Sequence, residues 1–414
     1  MVIKPFFPRN RLIYLLLLAF SAFLLLPNAT HLLHASTANY DASLAAHERA
    51  YLAAAASLQN ASIPVLVMGC NRISITRALD AVLLHRDRAD PRRFPVHVSL
   101  GCQNATVRRV VEERYGAEVV VWEMPRVEIE PRAGWGEKVM RYTPVALNYN
   151  QALSRIFANA SVGQVILLED DLEISPDFFS YFSATLPLLY MDPTLWCISS
   201  WNDQSRRHLL GPDAGRLLRT DFMPGLGWLL TRAVYESVQP WTFGPEWDQW
   251  MRRDAQRRGR QCVVPELPRN RNFGREGVSA GVFFDDYIAH IGFADDATAV
   301  DFGARWKEVA GLVAGRYQET MMRDVYEEAV LGLMEGQGVP VVKAGGVVAE
   351  SVQLFRVEYN NATELKNMLD RTGMMSDSYH GVFRSSYRGI ISYWHKATTK
   401  VYLAPKLHPI VFPK

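Results

Sequence analysis

The chain has 414 residues, 49% of them hydrophobic, and a formal net charge of only +2. That length supports a large core and more than one structural unit. The near-balance of charge excludes binding driven by bulk electrostatics, and with no zinc-finger spacing or Arg/Lys-rich arm, no nucleic-acid partner is expected.

The first segment, residues 1–11, carries Lys4, Arg9 and Arg11 and no acid. Leu12 to Leu26 follow without a charge, enough for about 22 Å of helix. No small-x-small cleavage pattern follows the apolar run, and basic residues before it favour a cytosolic N-terminus. The expectation is a cytosolic tail over 1–11, an uncleaved transmembrane signal anchor over 12–27, and a stem over 28–60, with a helix between Asn39 and Gln59. The remainder then lies in the lumen of the early secretory pathway, whose thin membranes suit a short span. Glycan acceptor patterns at Asn28, Asn60, Asn104, Asn159 and Asn361 agree with that side of the membrane. Cys70, Cys102, Cys197 and Cys262 are even in number and allow two disulfides there, in a pairing that spacing leaves open.

The body begins at "IPVLVMGCNR", an apolar run ending at Gly69 and read as a buried strand. "SITRALDAVLLHR" follows as a helix with Ser74 as a candidate N-cap. "FPVHVSLGC" is a second strand, "NATVRRVVEERYG" a second helix ending at Gly116, and "AEVVVWEM" a third strand. "VALNYNQALSRIFANA" is a third helix and "QVILLEDD" a fourth strand. This alternation predicts a mostly parallel sheet covered on both faces. From about Glu308 the character changes. The run Tyr317–Gly336 reads as helical, "VPVVKAGGVVAESVQLFRVEY" as strand-rich, and "YRGIISYWHKATTKVYLAP" as two antiparallel strands. A larger α/β domain over 61–307 and a smaller α+β domain over 308–414 are expected.

Three consecutive acids, Glu169, Asp170 and Asp171, stand at the end of the fourth strand. In sheets of this kind ligands bind outside the carboxyl ends of strands. Clustered, desolvated carboxylates are costly unless a cation neutralises them, and oxygen ligands suit magnesium or manganese with phosphate oxygens completing the shell. The alternative is a solvated acidic turn.

Five segments, "EDDLEISPDFFSYF", "LWCISSWND", "RTDFMPGLGWLLTRAVYE", "WDQWMRRDAQRRGRQCVVPE" and "FGREGVSAGVFFDD", occur in one order. Together with "SYRGIISYWHKATTKVYLAP" they resemble the N-acetylglucosaminyltransferase I family, over about Ile63 to Pro405. The resemblance implies a GT-A (Rossmann-like) fold, UDP-N-acetylglucosamine as donor, manganese as cofactor, and transfer with inversion to an N-glycan mannose, in a Golgi, single-pass type II membrane protein. It implies Asp171 as the metal ligand. Glu169 and Asp170 match residues at the ribose and the sugar–phosphate region, and Arg72 a nucleotide-contacting arginine. Asp248 matches the base that accepts the proton of the attacking hydroxyl. A cap of its own helix is the structural alternative for Asp248. Leu226 matches a residue lining the donor-sugar pocket, Arg252 and Arg260 residues holding the acceptor-side helix and loop, and Ser279 a phosphate contact on a glycine-containing loop, Arg275 to Asp286. The implied disulfides are Cys70–Cys102 and Cys197–Cys262.

Two positions depart from the pattern. Gly101 stands where the family has an Asp that reads uracil, and Asn148 where it has a His near the uridine. Uracil recognition is then expected to come partly from a side-chain amide, Asn148 or Asn71. Two other readings compete. An enzyme of the same chemistry acting on O-mannosyl protein is disfavoured by the short segment between anchor and body. A non-catalytic lectin on the same fold is disfavoured by retention of Asp171 and Asp248.

Overall fold

The computed structural model describes residues 44–127, 136, 140–238, 246–279, 281–342 and 353–406. The expected tail and anchor lie outside these residues. Among the described residues no helix is long and apolar enough to cross a membrane. From Tyr51 onward the described residues form one compact unit. Residues 44–58 are helical. Tyr51 in that helix is buried, and its hydroxyl donates to Ala184 O at 2.7 Å.

The larger sheet has eight strands: β1 (Val65–Gly69), β2 (Val96–Leu100), β3 (Val119–Glu123), β4 (Gln164–Glu169), β6 (Leu195–Ser199), β7 (Leu217–Thr220), β8 (Trp228–Thr231) and β9 (Gln261–Pro265). Their order is β3-β2-β1-β4-β8-β6-β9-β7. The first four are mutually parallel, as the alternation predicted. β8 runs antiparallel to both β4 and β6, and β7 antiparallel to β9, so the far half is mixed. β5 (Leu172–Ile174) pairs with β10 (Asn270–Asn272) outside this sheet.

Alternate side chains of each strand feed two different cores, which is why β1 and β4 read as unbroken apolar runs. Val65, Val67, Ile166 and Leu168 join the core under the helices Ile75–Ala89, Ala105–Tyr115 and Phe178–Met191. Leu66, Met68, Val165 and Leu167 join the core under the helix Thr143–Ala158. The chain steps from β1 to β2 to β3 with its helices on one face. It then returns past β1 to β4 with its helix on the other. The reversal falls between β1 and β4, and a crevice opens outside their carboxyl ends. The acids at 169–171 therefore sit at the switch point of the sheet. Two expected helix ends differ in detail. Asn104 does cap its helix, accepting from Thr106 N and Val107 N, whereas Ser74 makes no capping bond.

The second sheet contains β11 (Val330–Glu335), β12 (Val339–Val342), β13 (Leu354–Tyr359), β16 (Ile391–His395) and β17 (Thr399–Pro405), ordered β12-β11-β13-β17-β16. β14 (Ser378–Tyr379) and β15 (Val382–Phe383) pair outside this sheet, and β16 and β17 form the expected antiparallel pair within it. The run Tyr317–Gly336 is not helical throughout. Helix Ala314–Met322 passes into a π-helical turn, Arg323–Glu328, and the rest is strand β11. Its apolar residues satisfy either period; pairing with β12 and β13 decides for strand. Gly332 is needed in it, since a Cβ there would lie 2.1 Å from the Phe355 ring.

Both disulfides join the cysteines that the resemblance paired. Cys70 and Cys102 follow the neighbouring strands β1 and β2, with Cα atoms 4.8 Å apart. Cys197 and Cys262 are directly opposed in the β6–β9 ladder, with Cα atoms 4.7 Å apart. The sequence separations are 32 and 65 residues. Loops of that size contribute roughly 3–4 kcal/mol per bridge in the chain-entropy account.

Candidate active site

A cleft of about 970 Å³ opens at the switch point. Its floor is the Gly69–Ser74 turn after β1, Gly101 and Cys102 after β2, and Glu169 and Asp170 at the end of β4. Pro144, Val145 and Asn148 of the Thr143–Ala158 helix form one wall, and Phe273 to Val278 form the other.

Arg72 is the hub of the acidic cluster. Its Nη1 donates to Asp171 Oδ2 at 2.9 Å and to Glu276 O at 3.0 Å, and its Nη2 donates to Asp170 Oδ1. Cys70 N donates to Asp170 Oδ2 at 3.2 Å, so the bridge at Cys70 helps to hold this carboxylate. Glu169 takes a hydrogen bond from the Tyr149 hydroxyl at 2.9 Å. Burial, followed by the charge of Asp171, pushes the Glu169 carboxyl up to about 8. Burial pushes Asp170 up to about 6 against the opposing pull of Arg72. Burial and the neighbouring Glu169 hold the Tyr149 hydroxyl well above its ordinary range, with Asp248 adding to the shift.

Asp170 and Asp171 thus share one guanidinium, with Glu169 beside them, and Asp171 Oδ1 is buried with no hydrogen-bond partner. An unpaired buried carboxylate oxygen beside excess negative charge is the environment that a divalent cation relieves. Among the described residues no three His, Cys, Asp or Glu side chains converge as a ready-made cage. An ion here would draw its remaining ligands from phosphate and water, the usual habit of a hard cation at a nucleotide site. The donor set fits the expected ion. Gly274 shapes the same spot: a Cβ on it would stand 2.0 Å from Asp171 Oδ2. Phe273 N donates to Asp171 O at 2.9 Å and fixes the approach.

Asp248 lies in the first turn of the short helix Trp247–Met251, whose N-cap is Glu246. It is therefore not the cap. Its carboxylate is about a third exposed and accepts from Arg252 Nη1 at 2.5 Å. Arg252 also donates to Met223 O at 3.0 Å and Pro224 O at 3.3 Å, which ties the helix to the loop before β8. Leu226 belongs to that loop and is half-buried. Its carbonyl accepts from Ser199 Oγ and Asn270 Nδ2, and its side chain packs on the first core. Arg260 is bonded to Arg257 O, Ser237 Oγ and Gln256 O, so it braces the segment following the Asp248 helix. Arg72, Glu169 and Asp170 line the cleft, with Asp171 bonded to the first; Asp248, Leu226, Arg252 and Arg260 do not line it. Ser279 is exposed, on the loop whose earlier residues, Arg275 to Val278, form the cleft wall. Gly281 in that loop has φ +68°, and an Arg275–Asp285 ion pair spans its base.

The expectation that Asn148 reads the base by its amide does not hold. Its Nδ2 donates to Gly69 O at 3.2 Å and Ser99 O at 3.1 Å, and its Oδ1 accepts from Ser99 Oγ. Both amide hydrogens are used inside the fold. Gly101 and Asn148 are also in contact, since a Cβ at 101 would lie 2.7 Å from Asn148 Cβ. The two positions that depart from the motif resemblance are thus neighbours in the fold. Sequence reasoning missed the contacts that Tyr149 and Gly274 make with the carboxylates, because an aromatic on a buried helix face and a glycine in a loop carry no signal of them.

A crevice at the switch point of an α/β sheet, walled by a glycine-containing loop and floored by a carboxylate cluster, is the kind of place where such sheets bind their ligands. The chain matches the GNT-I family over residues 30–411 and belongs to it. It is 30% identical over 344 residues to an Arabidopsis thaliana alpha-1,3-mannosyl-glycoprotein 2-beta-N-acetylglucosaminyltransferase, a match covering 82% of this chain and 73% of that protein. Solved structures with partial likeness include S. aureus TarS, 15% identical with a TM-score of 0.33 over 49% of this chain and 35% of that one. Another is the mannosyltransferase PcManGT from Pyrobaculum calidifontis in complex with GDP-Man and Mn2+, 15% identical with a TM-score of 0.32 over 55% and 67%.

Proposed function

We propose that the chain transfers N-acetylglucosamine, with inversion, from UDP-N-acetylglucosamine to the 2-hydroxyl of the α-1,3-linked mannose of an N-glycan core, the step that opens hybrid and complex N-glycan synthesis. Family membership and the Arabidopsis relative support this activity. The observation that carries the site reading is the buried, unpaired Asp171 Oδ1 within an acidic cluster at the sheet's switch point.

In this reading the body has a GT-A fold and is followed by a C-terminal domain over 308–414. Asp171 holds a divalent ion, manganese by the resemblance, which when bound supplies Lewis-acid charge to the leaving diphosphate. Glu169 and Asp170 orient the ribose and sugar side of the donor. Arg72, poised between two carboxylates and the 275–286 loop, contacts the nucleotide. That loop, through Ser279, closes on phosphate and excludes water. Leu226 borders the donor sugar. Asp248 accepts the proton of the mannose 2-hydroxyl as that oxygen attacks the anomeric carbon, and Arg252 and Arg260 hold the turn that carries it. An anchor over 12–27 and a stem place this work in the Golgi lumen.

The test is transfer by the purified full chain from UDP-N-acetylglucosamine to mannose-terminated N-glycans and to an O-mannosyl peptide, with and without manganese. Manganese-dependent transfer to one N-glycan mannose is expected. Asp248→Asn should lower it by about 10²–10⁴-fold while UDP binding persists. Transfer to the peptide alone would move the protein to the other acceptor class, and unchanged activity of Asp171→Ala would remove the metal assignment.

A further inference from the structure

The donor-side carboxylates end β4, whereas Asp248 rides on a helix of five residues, Trp247–Met251. So short a helix has no stability of its own, and its place must be set by what it packs on. A buried aromatic stack joins the two. The Tyr149 hydroxyl donates to Glu169 Oε1 at 2.9 Å. The Tyr149 ring stacks on Trp247, with centroids 4.1 Å apart and planes 23° apart. Trp247 in turn stacks on Trp228, with centroids 5.8 Å apart and planes 7° apart. Trp228 is in β8, directly opposite Leu167 of β4. The circuit therefore closes on the strand where it began. All three rings are buried, Tyr149 at 1%, Trp247 at 6% and Trp228 at 0% exposure. Gly225, at φ +76°, brings its backbone against the far edge of Trp247, where a Cβ would lie 3.3 Å from the ring.

We propose that Tyr149 and Trp247 are positioning residues: the stack from Glu169 through Tyr149 and Trp247 to Trp228 fixes the turn bearing Asp248 relative to the carboxylates at the end of β4. This rests on the reading of Asp248 as the base and of residues 169–171 as the donor site. Neither ring needs to touch substrate. Tyr149 orients Glu169 through one hydrogen bond. Trp247 determines where the next residue, Asp248, stands when the acceptor hydroxyl arrives. Arg252 holds the other side of the turn through Met223 O and Pro224 O.

The experiment uses the full chain, steady-state transfer with UDP-N-acetylglucosamine, manganese and a mannose-terminated glycan, and calorimetric titration of UDP with manganese. Tyr149→Phe keeps the stack and removes the hydroxyl. It should raise the donor KM by about three- to tenfold, the scale of one lost hydrogen bond, with kcat within about threefold of the parent. Trp247→Leu breaks the stack and should lower kcat by about 10²-fold, as expected of a misplaced reacting group, while UDP affinity stays within about threefold. Trp247→Phe, which can still stack, should return kcat to within about fivefold of the parent. Undiminished kcat in Trp247→Leu, or equal losses of kcat in the Phe and Leu variants, would overturn the proposal. So would an unchanged donor KM in Tyr149→Phe. Asp248→Asn separates the two levels. If that variant retains full transfer, the reading of the base has failed and the proposal falls with it. If it is inactive while Trp247→Leu is active, only the stack has failed.

Discussion

Gly274→Ala is a demanding test of the acidic cluster because the perturbation is one methyl group. The added Cβ would stand 2.0 Å from Asp171 Oδ2, 2.7 Å from Cγ and 2.8 Å from Cβ. Real Cβ atoms do not approach closer than 3.0 Å, so the carboxylate or the loop must yield by about 1 Å. Asp171 has little room to yield. It is buried, its backbone carbonyl accepts from Phe273, and its Oδ2 is held by Arg72. Overpacking of this size costs about 1–3 kcal/mol of stability. The functional effect should be larger than that cost implies, since a shift of about 1 Å in a positioned group can lower rates about 10²-fold. Calorimetry of UDP binding with and without manganese reads the site directly, and chemical denaturation reads the fold. The expected result is a folded protein, destabilised within that range, whose manganese-dependent gain in UDP affinity falls at least tenfold. A Gly274→Ala protein with the parental manganese dependence would refute the placement of the ion at Asp171.

The contact between Gly101 and Asn148 predicts coupling. Gly101→Asp alone should destabilise by about 1–3 kcal/mol through overpacking, and much less in an Asn148→Gly background, which removes the opposing Cβ; additive effects in a double-mutant cycle of urea melts would contradict this. Lys400 supplies a pH dependence away from the cleft. It is fully buried in β17, its Nζ has no hydrogen-bond acceptor, and it lies 5.9 Å from the Trp394 ring and 5.2 Å from the Tyr402 ring. Burial, with Arg216 adding and Glu266 and Asp324 opposing, lowers its ammonium from 10.5 to about 7. A depressed pKa means that the folded state resists the proton. The site's contribution to stability is therefore full above pH 10.5 and declines as pH falls to about 7. The decline is about 1.4 kcal/mol per pH unit. Lys400→Met should stabilise the protein at neutral pH and lose most of that advantage near pH 10. An equal gain at both pH values would show that the charge is not what is relieved.

Much of this was legible along the chain. The unbroken apolar runs of β1 and β4, separated by amphipathic helices, predicted a parallel sheet, because a strand buried on both faces has no polar side to show. The acids at 169–171 could be placed at a strand end by local order alone, and the motif resemblance paired the cysteines. Other features required coordinates. β8 reverses direction between β4 and β6, and no local pattern encodes the direction of a neighbour. Residues 330–335 satisfy helical and strand periods alike, and only pairing with β12 and β13 chose between them. Asn148 offered an amide to the cleft in sequence terms. In the fold, the carbonyls of Gly69 and Ser99 arrive from two other strands and use it.

The sequence by itself determined most of the elements and the identity of the acids, because these depend on side-chain type and short-range spacing; the base candidate came from the motif resemblance. Tertiary structure alone decided that Arg72 sits between Asp170 and Asp171, that Gly274 leaves room for the Asp171 carboxylate, and that Tyr149 and Trp247 connect Glu169 to the turn carrying Asp248. Those relations join residues up to about two hundred positions apart, such as Arg72 and Glu276. Contacts of that range form only when the sheet brings its strand ends together, so no reading of local pattern reaches them.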